Sequence, residues 1–121
     1  MKQLWSVFFV AMTTATLAIN PTFADVTIMG EGLNSCGSWV VAERNDAYFG
    51  LKVQWVLGFL SGMNMRAKID GVPTTSNPIK QVRDGDAVQV WMDNYCKAHP
   101  TEDIGSAAAT LMFELEHRQA N

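Results

Sequence analysis

The chain has few of the groups on which enzyme catalysis depends. It contains two histidines and two cysteines among 121 residues, and it has no Ser-His-Asp arrangement, phosphate-binding loop or dinucleotide fingerprint. A zinc site needs about four ligands, and neither His99 nor His117 has a cysteine or carboxylate at the usual ligand spacing. We therefore predict that the protein is not an enzyme and has no catalytic residues, no metal and no cofactor. A pair of carboxylates that acts in hydrolysis is the one enzymatic alternative.

Two further absences restrict the partners. The sequence has no basic tract and a net charge of −3, which argues against nucleic acid as a partner. Beyond the first 24 residues no apolar run is long enough to cross a bilayer. There is also no internal repeat, and no alternating strand pattern persists beyond a few residues.

Residues 1–24 are organised as a secretory signal peptide. One lysine precedes a mostly apolar stretch at 4–19, and Thr22 and Ala24 stand at the two positions that signal peptidase reads. The alternative is a transmembrane anchor, but the run is short and threonines interrupt it. We predict cleavage after Ala24 and a periplasmic or secreted location. Cleavage leaves one helical domain, 25–121, with eight basic and twelve acidic residues and a net charge of −4.

The two cysteines, Cys36 and Cys96, lie far apart in the sequence. Exported proteins of this size usually join such a pair in a disulfide, and the alternative is two free thiols. We predict the disulfide, which would tie the first helix to the C-terminal half of the domain. In the chain-entropy model a loop of this length contributes about 4 kcal/mol of stability.

Apolar residues recur every three or four positions, which predicts an all-α, compact bundle of about four helices. Residues 25–33 are expected to form an irregular lead. The first helix should begin at Cys36, with Asn34 or Ser35 as its N-cap. It should end near residues 45–46, where short polar side chains favour a turn.

The second helix is predicted at about 48–65. Its inward stripe should consist of Leu51, Trp55, Gly58, Phe59 and Gly62. The two glycines are four residues apart, and we interpret them as a place where another helix of the domain packs closely. The alternative is a contact between two copies, as such spacing provides in membrane helices.

A long loop is predicted at 66–85, because Pro73 and Pro78 resist helix formation. A loop of this length in a small domain is a hinge, a surface used for binding, or a dispensable insertion. Asp84 or Asp86 should cap the third helix.

The third helix should stop at His99, because the residue before Pro100 disfavours helical angles. Thr101 is predicted to cap the fourth helix. The apolar side of the fourth helix should comprise Ile104, Ala107, Ala108, Leu111, Met112 and Leu115.

Large apolar residues at helical spacing predict the core. They are Trp39, Trp55, Phe59, Trp91, Tyr95, Leu111 and Leu115. Flexible methionines near the end of the second helix and the basic residues that follow suit the binding of a protein partner or client. They are Met63, Met65, Lys68, Lys80 and Arg83. A homodimer is a further hypothesis.

Two segments carry a resemblance to known families. They are Gln54-Trp-Val-Leu-Gly-Phe-Leu-Ser-Gly62 and Asp93-Asn-Tyr-Cys-Lys-Ala-His-Pro100, which follow an early cysteine and precede an amphipathic C-terminal helix. In this order they resemble small exported bacterial proteins of the HdeA/HdeB-like kind. The glycines of the first segment and the His-Pro of the second are also similar to the periplasmic Rap1a/Tai-type immunity proteins.

The first resemblance implies a chaperone that acts under acid stress, and the second implies a protein that blocks a secreted cell-wall hydrolase. Near pH 2 the carboxylates of the domain are protonated, and its basic residues, histidines and new amino terminus would carry a charge of about +11. Such self-repulsion would loosen the fold and expose apolar faces to clients, while a disulfide kept the chain compact. The 66–85 loop is long for the acid chaperones, and the extra cysteines of the immunity proteins are missing.

Overall fold

Four α-helices and two short 3-10 helices, η1 and η2, make up residues 26–71 and 77–120, which the computed structural model describes. In chain order they are η1 (Gly30–Leu33), α1 (Cys36–Val40), α2 (Ala47–Ile69), η2 (Pro78–Gln81), α3 (Gly85–Ala98) and α4 (Ile104–Ala120). The predicted all-α class is confirmed. The predicted signal peptide, 1–24, lies outside the described residues.

Helix α1 is shorter than predicted. Ser35 is its N-cap and accepts a hydrogen bond from the Ser38 amide at 3.2 Å, but the helix ends at Val40, so the predicted end near residues 45–46 is wrong. Asp46 belongs to the next helix, because its carboxylate accepts from the Tyr48 amide at 3.0 Å and caps α2. A capping residue has extended backbone angles, which prevents the two helices from being continuous.

The predicted disulfide is confirmed, and it joins α1 to α3. The Cα atoms of Cys36 and Cys96 are 4.7 Å apart. Backbone hydrogen bonds hold the same end of α1 to the connector between α3 and α4: the Cys36 amide donates to the Glu102 carbonyl at 2.7 Å, and the Gly37 amide donates to the Pro100 carbonyl at 2.8 Å. The start of α1 is therefore fixed by one covalent link and by main-chain bonds that depend little on side-chain identity.

Helix α2 faces the core with a different side from the one predicted. It buries Phe49, Lys52, Val56 and Leu60, whereas Leu51 is 58% exposed and Gly58 and Gly62 are also exposed. A Cβ atom added at either glycine would meet no atom within 4 Å. The predicted inward stripe and the predicted close packing at these glycines within the domain are therefore wrong.

Close packing on α2 occurs instead at η1, in the segment predicted to be irregular. Gly30 has a φ of 73°, which favours glycine, and Gly32 is buried beneath the indole of Trp55. The Trp55 Nε1 atom donates a hydrogen bond to the Met29 carbonyl at 3.0 Å. The N-terminal lead therefore covers part of α2.

The loop predicted between the second and third helices is present, but its limits differ. Helix α2 continues to Ile69, four residues beyond the predicted end, and η2 occupies part of the connector. Residues 72–76 lie outside the described part of the chain. Asp84 caps α3 by accepting from the Ala87 amide at 2.9 Å, and α3 ends before His99 as predicted.

The cap of α4 is Asp103 rather than Thr101. Its carboxylate accepts from the Ser106 amide at 2.6 Å and from the Ser106 hydroxyl at 2.9 Å. The six residues predicted for the apolar side of α4 are all buried.

The core lies between α2, α3 and α4, with α1 and η1 closing one side. Among the residues predicted for it, Trp39, Leu111 and Leu115 are buried. The other four are only half-buried and pack against its edge; they are Trp55, Phe59, Trp91 and Tyr95. The core is thus more aliphatic than the sequence indicated.

Candidate functional site

A surface groove follows the C-terminal half of α2 where it passes η2. It has a volume of about 490 Å³ and is lined by Ser61, Asn64, Met65, Lys68, Asn77, Ile79 and Lys80. We call it the α2–η2 groove. Lys68 belongs to α2 and Lys80 to η2, and Met65 and Ile79 supply the apolar part of the lining. This combination of cationic and apolar side chains suits a ligand with both carboxylate and aliphatic groups.

The wall formed by η2 is held firmly in place. Pro78 is buried, and the Gln81 side-chain amide donates to the Leu115 carbonyl of α4 at 2.6 Å. The Val82 amide donates to the Ile79 carbonyl at 3.0 Å and closes the turn. These bonds fix the backbone on both sides of Lys80, so its position relative to α2 depends on the core and not on a free loop.

A smaller apolar pocket of about 190 Å³ lies next to the groove. It shares Ser61 and Ile79 with the groove and reaches the core at Leu60, Val88 and Leu115. Asp84, whose carboxylate caps α3, also lines it. The Ser61 hydroxyl donates to the Leu57 carbonyl of its own helix at 2.7 Å. Its proton is therefore already hydrogen-bonded, and this part of the pocket wall does not require a polar group on a ligand. A cavity of about 150 Å³ accommodates a benzene ring, so this pocket has room for one large side chain of a partner.

The structure brings together three of the five residues predicted to bind a partner. Met65, Lys68 and Lys80 all line the α2–η2 groove. Met63 lies in a separate depression of about 530 Å³ on another side of α2. Arg83 is exposed and lines neither cavity.

The sequence interpretation missed an ion pair between a buried lysine and a half-buried glutamate. Lys52 is only 3% exposed, and its Nζ atom donates to Glu31 Oε2 at 3.0 Å and to the Ser38 hydroxyl at 3.3 Å. The Asn34 side chain donates to the same carboxylate oxygen at 2.8 Å. The hydrogen bond from Lys52 is the main cause that lowers the pKa of Glu31 below its usual value of 4.5, and burial opposes it. The only sign of this ion pair in the sequence is the position of Lys52 among apolar residues at helical spacing.

Asp93 on α3 holds a second polar cluster together. Its Oδ1 atom accepts from the indole nitrogen of buried Trp39 at 2.7 Å and lies 2.9 Å from the Arg44 guanidinium. Arg44 in turn stacks over the ring of Phe49, 4.3 Å from its centroid. The cluster satisfies the indole N–H and joins α1, the turn before α2 and α3, which is a structural role.

The motif at the end of α3 forms a column of stacked rings. Trp91 and Tyr95 have centroids 4.9 Å apart, and Tyr95 and His99 have centroids 4.4 Å apart. The Tyr95 hydroxyl donates to the Glu102 carboxylate at 2.7 Å. Burial, and then this hydrogen bond, raise the pKa of Tyr95 above 10.0. Glu102 also lies 3.3 Å from the imidazole of His99, so the Tyr-Cys-Lys-Ala-His-Pro motif has a structural explanation.

Within residues 26–71 and 77–120, no three histidine, cysteine, aspartate or glutamate side chains are grouped so that they could hold a metal ion. None of the helices in the same residues has both the length and the hydropathy to cross a membrane. No protein-family model, curated protein or solved structure matches the chain.

Proposed function

We propose that this is an exported, non-enzymatic binding protein whose α2–η2 groove takes up an apolar segment of a protein partner that also carries carboxylates. The observation on which this depends is the arrangement of Met65, Lys68 and Lys80 around one groove with an apolar pocket beside it. At neutral pH the two ammonium groups attract carboxylates, and the pocket takes an aliphatic or aromatic side chain. The rest of the domain is net acidic, whereas the charged residues that line the groove itself are Lys68 and Lys80.

Two labelled peptides of equal length test this function by fluorescence anisotropy at neutral pH. One carries two leucines flanked by glutamates, and the other carries the same leucines flanked by lysines. We expect only the first to bind, and its affinity should fall with added salt because screened charges attract less. The double variant Lys68→Glu/Lys80→Glu should lose binding, whereas Lys97→Glu, an exposed lysine on α3, should retain it. Equal binding of the two peptides would contradict the proposal.

If the protein binds one specific acidic partner, its biological role would be that of an immunity or inhibitor protein. In that case the partner is a secreted enzyme, and a gene for such an enzyme should lie next to the gene for this protein. The inhibition of that enzyme should be lost in Lys68→Glu/Lys80→Glu and kept in Lys97→Glu. Normal inhibition by the double variant would exclude the groove as the inhibitory surface.

A second candidate function, an HdeA-like acid-stress chaperone, is supported by the pair of Glu31 and Lys52. Protonation of Glu31 in acid would leave the buried ammonium of Lys52 without its counter-ion, which would loosen α2 from η1 and expose apolar surface. The test is the aggregation of an acid-labile enzyme at about pH 2–3 with and without the protein. We expect Glu31→Gln to protect the client at higher pH than the unaltered protein does. An absence of protection at any pH would remove this candidate.

A further inference from the structure

Seven uncharged residues form a continuous line along the outer side of α2. Their spacing alternates between three and four residues throughout the helix, which is a heptad pattern of period 3.5. We call this line the α2 seam, and it consists of Tyr48, Leu51, Trp55, Gly58, Gly62, Met65 and Ile69. The first and last residues span about 32 Å along the helix axis.

The seam faces away from the core. Leu51 is 58% exposed, Met65 is 64% exposed and Ile69 is 72% exposed. Of the seven residues only Trp55 is half-buried, beside η1. Single exposed apolar residues are ordinary on protein surfaces, but a row in heptad register is typical of a helix that pairs with another long helix.

Six of the seven seam residues are paired by position about residue 60, and Tyr48 has no counterpart within α2. Gly58 and Gly62 lie two residues on either side of this point, Trp55 and Met65 lie five residues away, and Leu51 and Ile69 lie nine residues away. We propose that a second copy of this chain docks on the seam with its α2 antiparallel. In a two-fold contact each residue meets its counterpart across the axis. Glycine then meets glycine at the centre, the part of Trp55 that η1 leaves exposed meets the Met65 thioether, and leucine meets isoleucine at the ends.

The two central glycines have a direct role in this contact. The space around both is open in the single chain, since an added Cβ would meet nothing within 4 Å. Two α2 helices can therefore approach closely where they cross. The glycines reduce the helical propensity of α2, and no contact within the described chain explains them.

The distribution of charge favours the antiparallel orientation. The charged residues that flank the C-terminal half of the seam are Arg66, Lys68 and Asp70. Arg66 donates to Asp70 at 2.7 Å, so the three residues together carry one net positive charge. A parallel pair would place this charge beside its own copy. In the antiparallel pair Arg66 lies about 18 Å along the axis from its copy, which is beyond the screening length of about 10 Å at 0.1 M salt. Each C-terminal half then lies level with Gln54 of the second copy.

This surface differs from the α2–η2 groove, and the inference goes beyond the proposed function. Met65 is the one residue that belongs to both. Peptide binding in the groove and self-association through the seam are therefore separable, because Leu51→Glu changes only the seam and Lys80→Glu changes only the groove.

Sedimentation velocity on the oxidised protein purified after export tests the proposal. A contact made by one helix per copy is at or below about 1,200 Å² of buried surface, where association is weak, so concentrations should extend to about 1 mM. We expect a monomer–dimer equilibrium that Leu51→Glu and Ile69→Glu each weaken by about tenfold or more. Val41→Glu and Val90→Glu replace residues that are 81% and 59% exposed and lie outside α2, and they should leave the equilibrium unchanged.

The variant Gly62→Ala distinguishes a surface that forms a helix–helix contact from an apolar surface that forms none. Alanine has a higher helical propensity than glycine and meets no obstacle in the single chain, so the midpoint of urea unfolding of the monomer should rise. In the dimer the added methyl groups would keep the helices apart, so self-association should weaken. If Gly62→Ala were more stable but associated normally, the proposal that Gly62 permits close approach of the two α2 helices would be refuted.

Substitutions of Gln54 test the orientation. In the antiparallel dimer a carboxylate at this position would lie near Arg66 and Lys68 of the second copy, so Gln54→Glu should strengthen association and Gln54→Lys should weaken it. In a parallel dimer both substitutions would place like charges together and weaken association. A protein that stays monomeric at the highest concentration, a dimer insensitive to Leu51→Glu, or a seam that binds only an unrelated protein would each overturn the proposal.

Discussion

Replacement of Glu31 by glutamine should destabilise the domain far more than its surface position suggests. The substitution keeps the size of the side chain but removes the charge that faces Lys52, which is 3% exposed. Removal of one partner from a fully buried pair costs about 3–5 kcal/mol. Because the Glu31 side chain is 20% exposed, water can partly solvate the ammonium, and we expect a loss of about 2–3 kcal/mol at pH 7.

The measurement is the free energy of unfolding of the oxidised protein from urea titrations followed by circular dichroism. The matched control is Glu114→Gln, which breaks an exposed pair with Arg118 at 3.4 Å and keeps a side-chain oxygen that can accept from the Trp91 indole, as the carboxylate does at 3.1 Å. Exposed pairs of this kind contribute about 0–1 kcal/mol, so the control should remain close to the unaltered protein. If Glu31→Gln were as stable as the control at pH 7, the argument from burial would be refuted.

The dependence on pH gives a second test of the same pair. The pKa of Glu31 is lowered in the folded state from its usual value of 4.5, so its contribution to stability is complete above that value. This contribution is lost as the pH falls through the lower, folded pKa. The difference in unfolding free energy between the unaltered protein and Glu31→Gln should therefore be constant near neutrality and shrink in acid. A difference that stays the same from pH 7 to well below the usual glutamate value of 4.5 would show that charge is not its cause.

A double-mutant cycle isolates the interaction between the two side chains. Lys52→Met should cost less than Glu31→Gln, because it leaves a carboxylate that is partly exposed and still accepts from Asn34 at 2.8 Å. The double variant should be more stable than the sum of the single losses predicts, with a coupling of about 1 kcal/mol or more. Simple additivity would contradict a direct interaction.

Three further changes test the packing by urea or thermal unfolding. Asp93→Ala removes the acceptor of the buried Trp39 indole and should cost about 1–3 kcal/mol, whereas Asp93→Asn keeps an acceptor and should cost less. Gly32→Ala places a methyl group against the Trp55 ring, and such overpacking should lower the free energy of unfolding by about 1–3 kcal/mol. An unchanged melting temperature would show that the indole can move to make room. Serine at both cysteines should lower the unfolding free energy by about 4 kcal/mol, and a much smaller loss would show that the loop is already restricted in the unfolded chain.

Much of the fold could be predicted because local signals agree with the tertiary structure. Helix α4 has one apolar side, and all six residues predicted for it are buried. The N-caps Ser35 and Asp84 and the stop before Pro100 depend on short-range chemistry that the sequence displays directly. The cap of α4 was predicted two residues too early, because Thr101 and Asp103 both have suitable side chains and only the fold decides between them.

The orientation of α2 could not be predicted, because this helix has apolar residues on two sides. The pattern that includes Leu51 and Trp55 is as regular as the pattern that includes Val56 and Leu60, and the latter also contains Lys52. Lysine is almost never fully buried without a partner, so local reasoning favoured the wrong side. Its partner, Glu31, lies in the lead, 21 residues earlier in the chain.

One short element therefore explains both the main error of the sequence analysis and the surface left for binding. In η1, Glu31 neutralises Lys52 and Gly32 accommodates Trp55, and these two contacts turn the side of α2 that bears Val56 towards the core. The opposite side, with Gly58 and Gly62, then faces solvent. If this account is correct, Glu31→Gln should weaken self-association through the α2 seam as well as stability, because a helix released from η1 no longer presents the seam in a fixed orientation.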